Sequence, residues 1–279
     1  MNEYRDLINR VIGRTAAETQ TCTNSETGDC EDCGLCVERH PQAIQTIIDS
    51  GADRIGATLG LTGALKQEIA RMIDHTVLKP DATEEMISVL CDEAMKYCFA
   101  SVCVNPCWIR MCRTRITDPA VKVCGVAGFP LGSNLTTVKA VETSLMAEDG
   151  ADEIDMVMNV GWAKSGQWNQ VEKDIAEVVR ASGDAHVKVI IEACFLTDEE
   201  KVKACLCSVN AGADYVKTST GFGKWGAKAA DVALMRRVVG PHIGVKAAGG
   251  IRDFSDALEM VGKGADRIGA SAGIKIVGV

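Results

Sequence analysis

From residue 66 onward, apolar residues recur with two alternating spacings. Short runs rich in Val, Ile and Ala are typical of buried strands, and the longer stretches between them place apolar residues on one face of a helix. Eight runs have the strand pattern: 72–75, 100–104, 121–125, 153–158, 187–192, 215–218, 244–247 and 266–269. Seven have the helix pattern: 83–97, 106–114, 135–149, 170–181, 198–210, 227–239 and 254–261. Strands and helices therefore alternate to the end of the chain.

This alternation predicts a closed, parallel (β/α)8 barrel, the TIM barrel. Thr197 followed by Asp198 is a typical helix start, and Gly150, Gly212 and Gly264 each open a Gly-Ala-Asp step from a helix into a strand. An open, doubly wound sheet is the alternative architecture. The chain has no G-x-G-x-x-G motif after an early strand, which argues against dinucleotide binding.

Residues 1–65 have a different pattern and are predicted to form an extension to a barrel domain of residues 66–279. Residues 1–16 have helical spacing of apolar positions, and residues 17–29 are polar, as in a flexible linker. The helix either packs on its own barrel or docks on another protein. Such short N-terminal helices resemble the targeting peptides of enzymes packed in bacterial microcompartments, so a shell protein is a candidate partner.

A cysteine run follows the linker. Cys30, Cys33 and Cys36 form a C-x2-C-x2-C-x3-H-P segment that ends at His40 and Pro41. It resembles the cluster-binding segment of bacterial-type ferredoxins, with His40 in place of the last cysteine. Three ligands are predicted here, and the fourth is either His40 or the upstream Cys22. A [4Fe–4S] cluster, a zinc ion and a set of reduced thiols without a metal all remain open.

A short repeat links the extension to the end of the chain. Residues 51–57, GADRIGA, recur as residues 264–270. One repeat of this length does not indicate a solenoid. We interpret it as reuse of a helix-to-strand step, and its role stays open.

Composition and charge limit the classes to which this protein can belong. The chain has 279 residues, 47% hydrophobic and 24% charged, which is enough for one large α/β domain. A net charge of −8 argues against nucleic-acid binding, and no apolar run long enough for a membrane span occurs. The first residues lack a secretion signal, so the 13 cysteines are expected to be reduced thiols in the cytoplasm.

Three charged residues lie on predicted core strands. Lys217, Lys246 and Asp155 fall on strands six, seven and four, close to the loops that follow. In a barrel of this kind the active site lies at the carboxyl ends of the strands, so the three side chains can converge. Two neighbouring ammonium groups disfavour each other's protonation, and a neutral amine attacks an aldehyde to form an imine. A nearby carboxylate then transfers protons.

Two glycine-rich loops follow strands seven and eight. One contains Gly249 and Gly250, and the other contains Ser271 between Gly269 and Gly273. Barrels often bind a phosphate group in these loops, where backbone N–H groups point at the anion. The alternative is that the glycines only form tight turns.

The motifs together resemble the class I deoxyribose-phosphate aldolase family over residues 72–279. The matching segments are IDHTVLKP at 73–80, ASVCVNP at 100–106, GFPLG at 128–132, GADEIDMV at 150–157, VKVIIEAC at 187–194, ADYVKTSTGF at 213–222, GVKAAGG at 244–250 and GADRIGASAG at 264–273. The resemblance implies a TIM barrel, catalysis without a cofactor, and reversible cleavage of 2-deoxy-D-ribose 5-phosphate to acetaldehyde and D-glyceraldehyde 3-phosphate. A homodimer is expected.

The resemblance also implies residue roles. Lys217 matches the imine-forming lysine, Lys246 the second lysine, and Asp155 the acid that works with Lys246 in proton transfer. The implied substrate-binding positions are Cys103, Asp74, Thr76, Thr220, Gly221, Gly249, Gly250 and Ser271. Ala272 stands where many relatives have a second serine, which leaves the backbone N–H groups but removes a hydroxyl.

The sequence leaves two alternatives to this activity open. One is an aldolase-like barrel that serves as a cluster-bearing redox or sensing module, and the other is an aldolase for a related phosphorylated sugar. The complete set of Asp155, Lys217 and Lys246 argues against loss of turnover.

Overall fold

The computed structural model describes residues 61–278 of the chain. The predictions for the helix of residues 1–16, the cysteine ligands and the first copy of the repeat lie outside this part. No helix among the described residues combines the length and the apolar character needed to cross a membrane.

Eight parallel strands close into one barrel in chain order, and this confirms the predicted fold. Each predicted strand is present, with its ends within two residues of the predicted ones. The strands are β1 Ile73–Val77, β2 Ser101–Val104, β3 Lys122–Ala127, β4 Glu153–Val157, β5 His186–Ile190, β6 Tyr215–Lys217, β7 Gly244–Ala248 and β8 Arg267–Ala270.

Ten helices lie in the described part of the chain. They are α1 Leu61–Ala70, α2 Glu84–Tyr97, α3 Ile109–Arg115, α4 Thr136–Glu148, α5 Val160–Lys164, α6 Trp168–Ala181, α7 Asp198–Asn210, α8 Ala229–Val239, α9 Phe254–Gly262 and α10 Gly273–Val277, with single 3-10 turns at Pro106–Trp108 and Ala193–Phe195. The prediction missed α1, α5 and α10. Helices as short as α5 and α10 do not show a period in the sequence. The predicted boundary at 65/66 falls within α1 and stays a prediction.

The predicted helix 106–114 is wrong in one respect. It begins as a 3-10 turn, because Pro106 has no N–H and the Trp108 N–H donates to the Asn105 carbonyl at 3.0 Å. The α-helix starts only at Ile109. The predicted start of α7 is confirmed, because Thr197 and Glu200 form a reciprocal capping box there.

The Gly-Ala-Asp steps have a repeated structural role. The glycines have positive φ angles, 96° at Gly150 and 86° at Gly212, which let each helix end turn into a strand. The aspartate of each step contacts the strand before it. Asp152 Oδ2 accepts a hydrogen bond from the Val123 N–H at 2.8 Å, and the Asp152 N–H donates to the Val123 carbonyl at 2.8 Å. Two more steps, at Asp214 and Asp266, make the same pair of bonds to Val187 and Val245.

The two faces of the strands bury different kinds of side chain. The outward face packs against the helices and is apolar, as at Ile73, Val123 and Ile154. The residues between these positions point into the barrel, and many are buried and polar or charged: Asp74, Ser101, Glu153, Asp155, Lys188, Lys217, Lys246. The interior of this barrel is therefore an ionic core enclosed by an apolar one.

Candidate active site

The three residues that sequence analysis chose from separate strands meet at one carboxylate oxygen. Lys217 Nζ lies 2.7 Å from Asp155 Oδ2, and Lys246 Nζ lies 2.6 Å from the same atom. Lys217 and Lys246 are direct partners in the pairing of β6 with β7. All three side chains are buried. The prediction that they converge is consistent with this geometry.

The other oxygen of Asp155 faces residues that sequence analysis missed. Lys188 on β5 places its Nζ 2.9 Å from Asp155 Oδ1 and 2.6 Å from Glu153 Oε2. Cys124 on β3 places its Sγ 3.2 Å from Asp155 Oδ1. Asp155 therefore contacts three lysines and one thiol, and is the centre of the ionic core.

Asp74 on β1 and Arg267 on β8 extend this network. Asp74 forms an ion pair with Lys246 and accepts a hydrogen bond from Ser101 Oγ at 2.7 Å. Arg267 donates to Asp74 Oδ1 at 2.6 Å and to Glu153 Oε1 at 3.0 Å. These contacts fix Asp74 beside Lys246, so its predicted position in the site is consistent with the structure.

The electrostatics of the core follow from burial and charge together. Burial alone would raise the pKa of Asp155, but the charges of the three lysines hold that pKa well below its usual value of 3.8. Burial alone would lower the pKa of Lys246, but Asp155 and Asp74 raise it above its usual value of 10.5. Lys246 therefore keeps its proton near neutral pH.

Of the three lysines, Lys217 has the fewest carboxylate partners. Lys246 contacts two carboxylates and Lys188 contacts Asp155 and Glu153, whereas within residues 65–278 only Asp155 lies within ion-pair distance of Lys217. The connected network contains three carboxylates (Asp74, Glu153, Asp155) and four cations (Lys188, Lys217, Lys246, Arg267), an excess of one positive charge. Lys217 contributes one ion pair to this network, fewer than Lys188 or Lys246.

The loops after β6 and β7 lie against each other. Gly221, Gly249 and Gly250 have φ angles of 88°, 86° and 81°, a region that residues with a side chain rarely adopt. A Cβ on Gly226 would lie 2.1 Å from the Gly249 carbonyl oxygen, so glycine at position 226 allows this approach. The Thr220 N–H donates to Glu192 Oε2 at 3.2 Å. Glu192, which sequence analysis missed, thus holds the start of the β6 loop.

The remaining predicted positions lie around this centre. Cys103 is buried on β2 and pairs in register with Cys124 on β3. Thr76 Oγ1 donates to the Asp74 carbonyl at 2.8 Å, so this hydroxyl supports the β1 end. Ser271 is exposed directly after β8, and within the described residues no side-chain hydrogen bond links it to the network.

A family model described as DeoC/LacD family aldolase matches residues 69–277, which spans the whole barrel. The chain belongs to this family. The resemblance drawn from the sequence motifs is thereby confirmed, and the paired lysines of this aldolase lie in a region that the family model covers.

Named relatives agree with this assignment. A deoxyribose-phosphate aldolase of Caldanaerobacter subterraneus subsp. tengcongensis is 57% identical over 212 residues, 75% of this chain and 92% of its own length. One from Clostridium tetani is 58% identical over 211 residues, 75% of this chain and 98% of its own length. The solved tetrameric deoxyribose phosphate aldolase from Aeropyrum pernix is 35% identical, with a TM-score of 0.72 over 78% of this chain and 94% of that chain.

Proposed function

We propose that this aldolase reversibly cleaves 2-deoxy-D-ribose 5-phosphate to acetaldehyde and D-glyceraldehyde 3-phosphate through an imine on Lys217. One observation carries the proposal: two buried lysine amines share a single carboxylate oxygen of Asp155. The names of the similar aldolases support the choice of substrate. This chemistry needs no metal or cofactor.

The reaction uses the carbonyl at C1 of the open-chain sugar. The Lys217 amine attacks C1, and the carbinolamine loses water to form an iminium. Removal of the proton from the C3 hydroxyl breaks the C2–C3 bond, because the iminium accepts the electron pair and becomes an enamine. D-glyceraldehyde 3-phosphate leaves, C2 takes up a proton, and water then releases acetaldehyde and the free lysine.

Asp155 and Lys246 serve the proton transfers. Asp155 Oδ2 lies within hydrogen-bond distance of both amines, so it can receive the proton that Lys217 loses and pass it on. Lys246 keeps its charge through Asp74 and Asp155, and it stabilises negative charge on the substrate oxygen during bond cleavage. Asp74 is a positioning residue in this scheme.

The substrate phosphate is proposed to lie in the loops at Gly249, Gly250 and Ser271. We expect 2-deoxyribose to have a kcat/KM on the order of 100-fold below that of its 5-phosphate, because a free sugar cannot use the anion contacts. The assay follows acetaldehyde and D-glyceraldehyde 3-phosphate from purified protein. Ser271→Ala should reduce the ratio, and Ser144→Ala on α4 is the matched control. Equal values for the two sugars would argue against this phosphate site, and absence of acetaldehyde from either would argue for a different sugar.

Cys30, Cys33 and Cys36 are proposed to bind a [4Fe–4S] cluster or a zinc ion, with Cys22 or His40 as the fourth ligand. The support is the C-x2-C-x2-C spacing. Protein prepared without oxygen should contain iron and labile sulfide, or zinc, and the triple Ser variant should lose them. Turnover should survive, because the imine chemistry uses no metal. Protein free of both metals would contradict the proposal.

Residues 1–16 are proposed to direct the enzyme into a bacterial microcompartment in the cytoplasm by binding a shell protein. The support is the apolar face of the predicted helix, formed by Tyr4, Leu7, Ile8, Val11 and Ile12. A helix this short is marginal alone in water and must bury that face. Residues 1–20 fused to a fluorescent reporter should form foci in cells that build shells, and a Leu7→Glu fusion should stay diffuse. Diffuse fluorescence from both fusions would contradict this targeting role.

The exposed face of α4 is proposed to form a homodimer interface. Val138, Val141 and Leu145 lie on α4, Leu131 and Leu135 precede it, and the five side chains are 47% to 74% exposed. Val138, Val141 and Leu145 line a groove of about 560 Å³. An apolar stripe of this kind on one helix is self-complementary across a two-fold axis, and the Aeropyrum pernix relative is described as tetrameric. Sedimentation should show a dimer that Leu145→Glu dissociates and Val89→Glu on α2 does not. A monomeric parent would contradict it.

A further inference from the structure

The barrel interior contains a group of potential metal ligands in which two thiols lie beside the carboxylate of Asp155. The ligand atoms of Cys103, Cys124 and Asp155 all lie within 4.8 Å of one another, and all three residues are buried. Within residues 65–278 this is the one group of three such side chains close enough to share an ion. We propose that Cys103, Cys124 and Asp155 form an inhibitory binding site for a thiophilic divalent cation such as Zn²⁺.

The distances suit a tetrahedral ion. With Zn–S near 2.3 Å and Zn–O near 2.1 Å, two sulfur ligands lie about 3.8 Å apart, and sulfur and oxygen ligands about 3.6 Å apart. Cys124 Sγ is already 3.2 Å from Asp155 Oδ1. Cys103 and Cys124 are register partners on adjacent strands, so their Sγ atoms face the same space. The three ligand atoms lie within 4.8 Å of one another, so their separations exceed these ideal spacings by about 1 Å at most, and a fourth position stays open.

The charge balance also allows a cation here, although lysines surround the site. Binding of M²⁺ replaces the two thiol protons, which leave to solvent, so M²⁺ with two thiolates adds no net charge. Lys188 Nζ lies 3.4 Å from Cys124 Sγ and stabilises the thiolate there. Two thiolates and one carboxylate select Zn²⁺ or another soft ion over Mg²⁺ and Ca²⁺.

An ion at this position would stop turnover. Asp155 is the carboxylate that Lys217 and Lys246 share, and a bond from Asp155 to the metal withdraws its negative charge from both amines. The carboxylate can then no longer accept the proton of Lys217. The inhibition rests on the proposed aldolase function, whereas the metal site itself does not.

The experiment uses the full chain with Cys22, Cys30, Cys33 and Cys36 replaced by serine, so that the extension cannot compete for metal. Co²⁺ reports on the site directly, because thiolate ligands give a charge-transfer absorption that is read without any activity. Zn²⁺ inhibition is then measured in the cleavage assay, with reversal by a chelator. A reducing phosphine keeps the thiols free of oxidation.

Three variants of this parent are compared. Cys124→Ala removes one ligand, and Cys124→Ser does so with nearly the same side-chain volume in case the alanine variant folds poorly. Cys112→Ala is the matched control, because Cys112 is a buried cysteine on the outer helix α3 rather than on a strand of the barrel. Asp155 keeps its lysine contacts in all three, and Zn²⁺ inhibition of each variant is measured relative to its own turnover without added metal.

The parent and Cys112→Ala should show the cobalt–thiolate absorption and chelator-reversible inhibition by Zn²⁺. Both Cys124 variants should lose the absorption and need at least tenfold more Zn²⁺ for half inhibition. Three results would overturn the proposal: no cobalt–thiolate absorption in the parent, absorption without inhibition, or inhibition that the Cys124 variants leave unchanged. If the parent has no aldolase activity, the cobalt absorption still decides whether the metal site exists.

Discussion

Lys217→Ala is expected to lower kcat by about 10⁴- to 10⁶-fold, because no other residue can supply the covalent bond to C1. The Lys217 amine lies 2.7 Å from its proton acceptor on Asp155. The neighbouring Lys246 has two carboxylate partners that keep it charged, so it cannot take over as nucleophile. Turnover of 2-deoxyribose 5-phosphate by the purified variant gives the measurement.

The lysine that carries the imine can be identified directly. Acetaldehyde and borohydride added to the wild-type protein should attach two carbons to Lys217, which peptide mass mapping locates. Lys201→Ala is the matched control, because Lys201 is a buried lysine with its own ion pair to Asp231 on α8, outside the barrel interior. This variant should keep both turnover and the label. A label on Lys246 with Lys217 unmodified would refute the assignment of the nucleophile.

Asp155→Ala is expected to reduce both turnover and stability. Three buried ammonium groups contact this carboxylate, and its removal leaves them without their shared counter-charge. Breaking a buried ion pair from one side costs about 3–5 kcal/mol in the free energy of unfolding. The loss of kcat should be nearly as large in Asp155→Ala alone as in a double variant with Lys246→Ala, because the two residues act as one unit. Urea denaturation and steady-state kinetics measure the two effects.

Asp174→Ala separates the structural loss from the catalytic one. Asp174 is fully buried and forms an ion pair with Lys139 Nζ at 2.6 Å between α6 and α4. Its removal should cost a similar free energy of unfolding and leave kcat unchanged in the folded protein. If Asp155→Ala proved as active as Asp174→Ala, the proposed proton transfer through Asp155 would be wrong.

The stability that Asp155 supplies has a defined pH dependence. Its pKa in the folded protein lies well below the usual 3.8, since the lysine charges outweigh burial. A lowered carboxyl pKa contributes stability that is fully present above the unfolded pKa and is lost as pH falls through the folded one. The wild-type protein should therefore lose this contribution below about pH 4, and the free energy of unfolding of Asp155→Ala should vary less with pH in that range.

The order of elements could be predicted from the sequence, because each strand and helix has its own apolar period. The composition of the ionic core could be predicted only in part. Val-Lys pairs occur on four strands, yet Lys188, Lys217 and Lys246 point into the barrel while Lys122 on β3 is exposed. A lysine at the start of a strand and one in its middle look alike in sequence. How deeply each lysine is buried in the barrel depends on the residue at which its strand begins. A shift of that residue by one or two positions changes the burial.

Other residues of the site could not be predicted from the sequence for a different reason. Glu153, Lys188 and Arg267 are 35 to 114 residues apart, and contacts between them exist only once the barrel has closed. Glu192 has a φ of 50°, which no feature of its local sequence predicts. Cys124 resembles any other small apolar residue of a strand. Periodicity reports local structure, so it cannot find partners that closure of the barrel brings together.

The Gly-Ala-Asp steps divide the barrel into modules of two strands. In each step the aspartate makes two hydrogen bonds to the preceding strand, one through its carboxylate and one through its backbone N–H, and we call this pair of bonds a clasp. Clasps join β3 to β4, β5 to β6 and β7 to β8. The corresponding position before β2 is Ala100, whose N–H bonds to the Ile73 carbonyl without a side-chain partner. Each clasp thus ties a strand to its predecessor inside a module. Circular permutation between β4 and β5 or between β6 and β7 keeps every clasp within an unbroken segment, whereas a cut between β5 and β6 separates Val187 from Asp214 along the chain. Recombination of family members at the module boundaries would preserve strand register in the same way.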